Sequence, residues 1–224
     1  MFELEARAEP SRLMSWLSPL LAVVLMLGGG VLVFSALGKD PVEGFRVFFL
    51  NPLKDLYSLS ELLLKATPLM LCAIGLAIGF RANVWNIGAE GQFMLGAAAA
   101  TGVALYFDGS DSALLLPAMV VAGALGGAAW AAIPALLRTR FNANEILVSL
   151  MLVYVAELFV SWLVFGPWRD PDGFNFPQTK MFGDAALMPA LLEGTRLHYG
   201  FVLAIAVLIA GHAFMNRSFA GFRM

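Results

Sequence analysis

Six stretches of mostly apolar residues, each roughly as long as the ~20 residues a helix needs to cross a bilayer, organise this chain. They run over residues 16–37, 60–80, 84–107, 113–137, 145–166 and 199–216. A soluble domain cannot hide that much apolar surface: 60% of the residues are hydrophobic and only 13% charged. In lipid every backbone polar group must find its partner within the protein. No alternating polar and apolar pattern points to a barrel, so the spans are expected to be helices. The expected fold is all-α, a polytopic transmembrane helix bundle forming a single domain over 1–224, with irregular segments near 81–92 and 167–198. The first run, from Trp16 to Leu37, follows Arg7 and Arg12. It is longer than the apolar core of a signal peptide, and "SALG" is a poor cleavage site, so it reads as an uncleaved helix.

Lysine and arginine set the expected orientation. With the N-terminus inside, Arg7 and Arg12, then Arg81, then Arg138 and Arg140, then Arg217 and Arg223 all fall on the cytoplasmic side. The opposite side receives "YFDGSDS" and two longer segments, 38–59 and 167–198, in which acids and bases are mixed. Those two segments either lie flat on the membrane surface or receive a partner. Within the spans, Gly75 and Gly79, and Gly123 and Gly127, have the small-xxx-small spacing that lets helix backbones approach closely. Pro68, Pro117 and Pro134 fall inside spans and are expected to kink them. The net charge of −2 says nothing about nucleic acid, and no basic run suggests such a partner. One cysteine, Cys72, allows no intrachain disulfide, and His198 and His212 lie apart with no metal-ligand spacing.

Two polar constellations interrupt the apolar pattern. The first is "GFRANVWNIGAEGQFMLGA", Gly79 to Ala97. Spans 60–80 and 84–107 leave almost no room for a connection, so either the loop is very short or a helix breaks within the membrane. A broken segment at depth is tolerated only where it is buried in protein or lines a water-filled cavity. Glu90 and Gln92 would then face that cavity, and a helix start near Gly88 would offer free amides to a polar solute. The other reading is an ordinary cytoplasmic turn with Arg81 at the phosphate level and Glu90 in water. The second constellation is "RTRFNANEILVSLMLVYVAELF", Arg138 to Phe159. Asn144 suits a helix N-cap and Glu145 the positive end of the helix dipole. Deeper in that span Tyr154, Glu157 and Ser161 share a helix face. Glu157 either lines a pathway, pairs with a neighbouring helix, or lies near the outer surface. No phosphate-binding loop, nucleophile elbow or HExxH motif is present, so nothing marks the chain as an enzyme.

Three segments carry a family likeness. "ATPLMLCAIGLAIGFRANVWNIGAEGQFMLGA" resembles the signature of permease subunits of ATP-binding-cassette importers in the ribose, branched-chain amino acid and nucleoside group. "FNANEILVSLMLVYVAELF" and the outer-loop "GFNFPQT" resemble further hallmarks of its nucleoside-type branch, associated with basic membrane protein. The resemblance implies a multi-pass permease in a bacterial plasma membrane, N-terminus cytoplasmic, moving a nucleoside-like or simple-sugar solute. It implies partners: two cassette ATPase subunits, a second permease, identical or related, an extracytoplasmic solute-binding protein, and membrane lipid. It implies no cofactor in this chain. It favours the pathway reading of the first constellation, and by position carries over Asn83, Asn86, Glu90 and Gln92 as path residues, with Asn144 and Glu145 behind them. Family members continue beyond this length, so "NRSFAGFRM" is expected to approach a coupling segment that docks on the ATPase, with Met224 an artificial end. The rival reading is a self-contained six-helix channel or scaffold. Replacing Glu90→Ala in a full-length version is expected to lower solute uptake without preventing assembly. Unchanged uptake at normal expression would remove Glu90 from the path.

Overall fold

The computed structural model describes residues 11–174 and 176–223. Arg7, counted above among the orienting bases, lies outside them, as do Asn175 of the "GFNFPQT" motif and Met224. The chain divides into two compact units, Met1–Leu59 and Ser60–Met224. Among the described residues the structure is helical and has no β-strand; one isolated bridge pairs Ala190 with His198.

In the first unit, α1 (Arg12–Ala36) starts at Ser11, whose hydroxyl accepts the Met14 N–H. The segment after it is helical. Asp40 caps α2 (Pro41–Phe45) by accepting the Val42 N–H at 2.9 Å, and Pro41 occupies the first helical position, where no donor is lost. The rod then widens into a π-type turn over Arg46–Leu50 and tightens into a 3₁₀ turn over Asn51–Leu53. Asp55 accepts the Ser58 N–H at 2.7 Å at the entry of the next helix, and that bond holds its carboxyl below the usual carboxylate range.

That next helix, α3 (Leu56–Arg81), leads into the second unit. There it is followed by α4 (Ala89–Tyr106), α5 (Leu115–Phe141), α6 (Glu145–Phe165), α7 (Gly200–Arg217) and the short α8 (Phe219–Arg223). Among the described residues five helices are long and apolar enough to cross a membrane: Leu13–Ala36, Leu56–Arg81, Leu115–Phe141, Glu145–Phe165 and Gly200–Arg217. Of the six expected spans, 84–107 is the one these five leave out. That helix begins only at Ala89, runs 18 residues and is not among the five. The reason is its composition: alanine, glycine and threonine fill it, and Glu90 and Gln92 stand in its first turns. Pro117 also departs from expectation. It sits in the first turn of α5, where a missing N–H breaks no helical bond, whereas Pro68 and Pro134 are interior.

α4 packs by close backbone approach. A Cβ at Gly96 would stand 2.9 Å from the Gly123 carbonyl oxygen of α5, and one at Gly126 only 2.5 Å from the Ala99 Cβ. On its other side a Cβ at Gly91 would meet the Val153 Cα of α6 at 3.0 Å. Gly123 and Gly127 thus serve the expected packing face. Gly75 does not, for nothing lies within 4 Å of its missing side chain.

The segment 167–198 is irregular, as expected, but it is tied to the helices. Trp168 lies over Gly102 of α4, Lys180 pairs with Asp108 at 3.4 Å, and Arg196 grips both carboxylate oxygens of Glu61 on α3. A 3₁₀ turn at Asp184–Ala186 buries Ala186 against Ala104 and Leu115. The packing generates a paired test. Gly96→Ala forces its Cβ into backbone and is expected to cost about 1–3 kcal/mol, while Gly75→Ala is neutral or slightly stabilising. Melting temperatures of the two variants in one detergent measure the difference; equal values would refute close packing at Gly96.

Candidate functional site

Between α3 and α4 the chain spends residues 82–88 without regular structure. Asn83 takes the left-handed conformation (φ 53°), which asparagine adopts more readily than most residues, and the Val84 N–H returns to the Gly79 carbonyl at 2.9 Å. The strap that follows is held from two directions. The buried Ser149 of α6 accepts the Ile87 N–H at 3.3 Å and donates to its own helix at Ile146 O, 3.1 Å away. A Cβ at Gly88 would stand 2.8 Å from the Ser149 carbonyl oxygen, so only glycine lets the strap lie this close to α6.

The second tie is an amide pair. Asn86 Nδ2 donates to Gln92 Oε1 at 3.0 Å, and Gln92 Nε2 donates back to Asn86 Oδ1 at 3.2 Å. The same Asn86 oxygen accepts the Gly88 N–H at 2.9 Å. Each amide keeps one N–H outside the pair.

These groups border a partly open, mostly apolar cavity of about 220 Å³ lined by the strap and by residues of α3, α4, α5 and α6. Asn86, Gln92 and Trp85 line it, with Arg138, Glu145 and Ser149. Its two charged residues face each other: Arg138 Nη1 lies 2.7 Å from Glu145 Oε1, across the turn that joins α5 to α6. That turn is fixed at both ends. Asn142 ends α5 in the left-handed region (φ 52°), and Asn144 caps α6 by accepting the Ile146 and Leu147 N–H groups at 3.0 and 3.3 Å. The cavity therefore presents amide hydrogen bonds, an indole and a neutralised ion pair.

Of the residues singled out from sequence, Asn86, Gln92 and Glu145 come together on this cavity. Asn83, Glu90, Asn144 and Glu157 are not on its wall. Asn83 and Asn144 terminate helices, as above. Glu90 and Glu157 are exposed on α4 and α6, and neither shows a hydrogen bond or ion pair among the described residues. Sequence reasoning missed Trp85, Arg138 and Ser149 as cavity residues. Two signals pointed to the latter two: Arg138 and Glu145 flank one helix–turn–helix with opposite charges, and Ser149 stands one helical turn after Glu145. Among the described residues no group of three or more His, Cys, Asp or Glu could hold a metal ion.

Comparison with known proteins adds the following. Residues 58–224 match the family described as branched-chain amino acid transport system / permease component. The chain is 37% identical over 234 residues to the glucose ABC transporter permease protein of Haloferax volcanii, covering 98% of this chain and 61% of that protein. It is 29% identical over 217 residues to the guanosine ABC transporter permease protein of Bacillus subtilis, covering 95% and 61%. It is 26% identical over 215 residues to the nucleoside ABC transporter permease protein of Lactococcus lactis subsp. cremoris, covering 93% and 59%. The chain thus spans about three fifths of the length of the curated relatives it matches. No solved structure matches it.

The strap yields a prediction. Ser149→Ala leaves the Ile87 N–H without its partner, a loss of about 0.5–1.5 kcal/mol for one hydrogen bond. Faster amide hydrogen exchange at residues 84–88, with exchange in the middle of α5 unchanged, is the expected result. Unaltered exchange at Ile87 would show that Ser149 does not hold the strap.

Proposed function

The chain belongs to the family of branched-chain amino acid transport system permease components, and from that premise we propose that it forms part of the translocation path of an ABC importer for an uncharged sugar or nucleoside. The observation that carries this reading is a mostly apolar cavity with a few uncharged hydrogen-bonding groups and one internally paired ion pair on its wall. Spare amide N–H groups on Asn86 and Gln92 suit hydroxyls or a nucleobase edge, and Trp85 offers a face for a sugar ring or a base. With Arg138 and Glu145 paired, the wall favours no ionic solute. The glucose, guanosine and nucleoside names of the relatives support the same solute class.

In this reading the N-terminus is cytoplasmic, the membrane is the plasma membrane, and separate ATPase subunits supply the energy. A solute-binding protein delivers the solute from the far side. The cavity, at about 220 Å³, is smaller than the ~300–1,000 Å³ of ordinary small-molecule sites, so a passing solute needs either a moved helix or walls from a second permease. Glu90 and Glu157 fit that second role. A carboxylate on an apolar helix is costly against lipid and belongs against protein or water. We therefore keep both as path or subunit-facing groups, with Asn86, Gln92 and Glu145 on the cavity itself and Asn83 and Asn144 shaping its entrance.

The test is transport. The full-length permease, reconstituted in vesicles with its ATPases and binding protein, is expected to accumulate labelled glucose or guanosine only with ATP. ATP hydrolysis without accumulation of either would overturn the reading. In the same assay Arg138→Glu and Glu145→Arg are each expected to reduce uptake at least several-fold, and the double exchange to recover part of it, as a coupled charge pair requires.

A further inference from the structure

The rod that follows α1 carries a surface that the transport reading does not use. α2 folds back against the end of α1, and the contact is reciprocal. The ring of Phe45 lies over Gly30, where an added Cβ would meet it at 2.7 Å, and the ring of Phe34 lies over Gly44 at 2.8 Å. The Phe34 and Phe45 rings meet edge to face with centroids 5.6 Å apart. Phe45 stacks on Phe49, and Phe49 meets Phe48 edge to face. Phe48 nevertheless remains 71% exposed and Val42 76%. The Glu43–Arg46 pair at 3.3 Å is exposed as well.

The two glycine contacts fix a depth. Gly30 is six residues before Ala36, so at ~1.5 Å per residue the Phe45 ring sits about 9 Å below the end of α1. The 24 residues of Leu13–Ala36 are about 36 Å long, against about 30 Å of hydrocarbon. A centred α1 therefore holds the Phe45 ring about 6 Å inside the hydrocarbon boundary, the depth at which an interfacial helix buries its apolar face. Beside the rings runs a groove of about 460 Å³, lined by Phe34, Val47 and Phe48 and by the charged Lys39, Asp40 and Glu43. Apolar rings next to charges of both signs match an amphiphile: acyl chain on the rings, headgroup phosphate at Lys39.

We propose that residues 41–53 are an interfacial anchor whose occupant is membrane phospholipid, in the leaflet reached by the C-terminal end of α1. The occupant is lipid because the surface is continuous with a membrane span and is pinned below that span's end. A docking protein would have to enter the leaflet to cover it.

The experiment uses the full-length protein in phospholipid vesicles, in a Cys72→Ala background, with an environment-sensitive fluorophore on Phe48→Cys. Gly109→Cys, in the exposed link between α4 and α5, is the aqueous control. Blue-shifted emission from position 48, lost to lipid brominated near the headgroup and retained in iodide, is the expected result; position 109 should lose emission to iodide. Quenching of position 48 by iodide alone would overturn the proposal, and so would protection from both quenchers, which would mean that protein covers it. If the cysteine background fails to insert, a phospholipid carrying a diazirine near the glycerol labels the unaltered protein instead. Adducts within 41–53 are then expected, and adducts on α1 without any on 41–53 would overturn it. Neither readout depends on solute transport.

Discussion

The close approach of α4 to its two neighbours is the constraint from which the second unit follows. In lipid, helices gain nothing from hiding apolar surface from one another, so contact area between closely packed backbones does the holding. α4 achieves that contact by giving up side chains. Gly96 lies against the Gly123 backbone, Gly126 admits Ala99, and Gly91 lets the helix slide beneath Val153 and Ala156. The same small residues, with Glu90 and Gln92 in its first turns, set α4 apart from the five long apolar helices.

That packing also positions the strap. Once Gly91 and Gly88 rest against α6, the chain leaving α3 must pass Ser149, and the Ser149 hydroxyl supplies the acceptor that residue 87 cannot find in a helix. Asn86 and Gln92 then stand six residues apart across the start of α4 and satisfy each other. Where the backbone breaks, side chains meet two of its donors: Ser149 accepts the Ile87 N–H and Asn86 the Gly88 N–H. Charge plays a different part. The pairs Lys180–Asp108 and Arg196–Glu61 tie the 167–198 segment to helix ends, and Arg138–Glu145 closes a helical turn. The two exposed pairs, Lys180–Asp108 and Arg196–Glu61, contribute little to stability. Their value is in fixing which loop residue lies over which helix.

The helices were legible in the sequence because a span must be long and apolar, and five of the six announced themselves that way. The break before α4 was legible, since the sequence places a helix start near Gly88 and α4 begins at Ala89, but the Ser149 contact that holds the strap, 62 residues away, was not. The site was legible in part, for a related reason. Asn86, Gln92 and Glu145 stand out as polar residues among apolar neighbours, but so do Asn83 and Asn144, whose polarity serves their own backbone. For Asn144 the sequence did show the cap role, because a helix start follows it directly; Asn83, at a helix end, gave no such signal. Ser149 was hidden by the opposite effect: a single hydroxyl in "EILVSLML" looks like tolerated polarity until its partner across the bundle is known. Arg138 was read as a marker of orientation, and its second role appears only when the turn brings Glu145 to it.

For the proposed transport role, the internal pairing of the cavity wall is itself informative. A path must bind its solute weakly enough to release it. Free amides and an unpaired guanidinium would bind a sugar or nucleoside tightly and hold it. Here the strongest groups are already engaged: Asn86 with Gln92, Arg138 with Glu145, and Ser149 with Ile87 and Ile146. A solute meets only what is left over, one N–H on each amide and the indole of Trp85. Any tighter contact would have to displace a pair that also holds the strap in place. Solute binding and the position of residues 84–88 are then thermodynamically linked, because a ligand can shift a conformational equilibrium only by its difference in affinity for the two states. The strap is thus the element through which this cavity and the helices around it would influence each other.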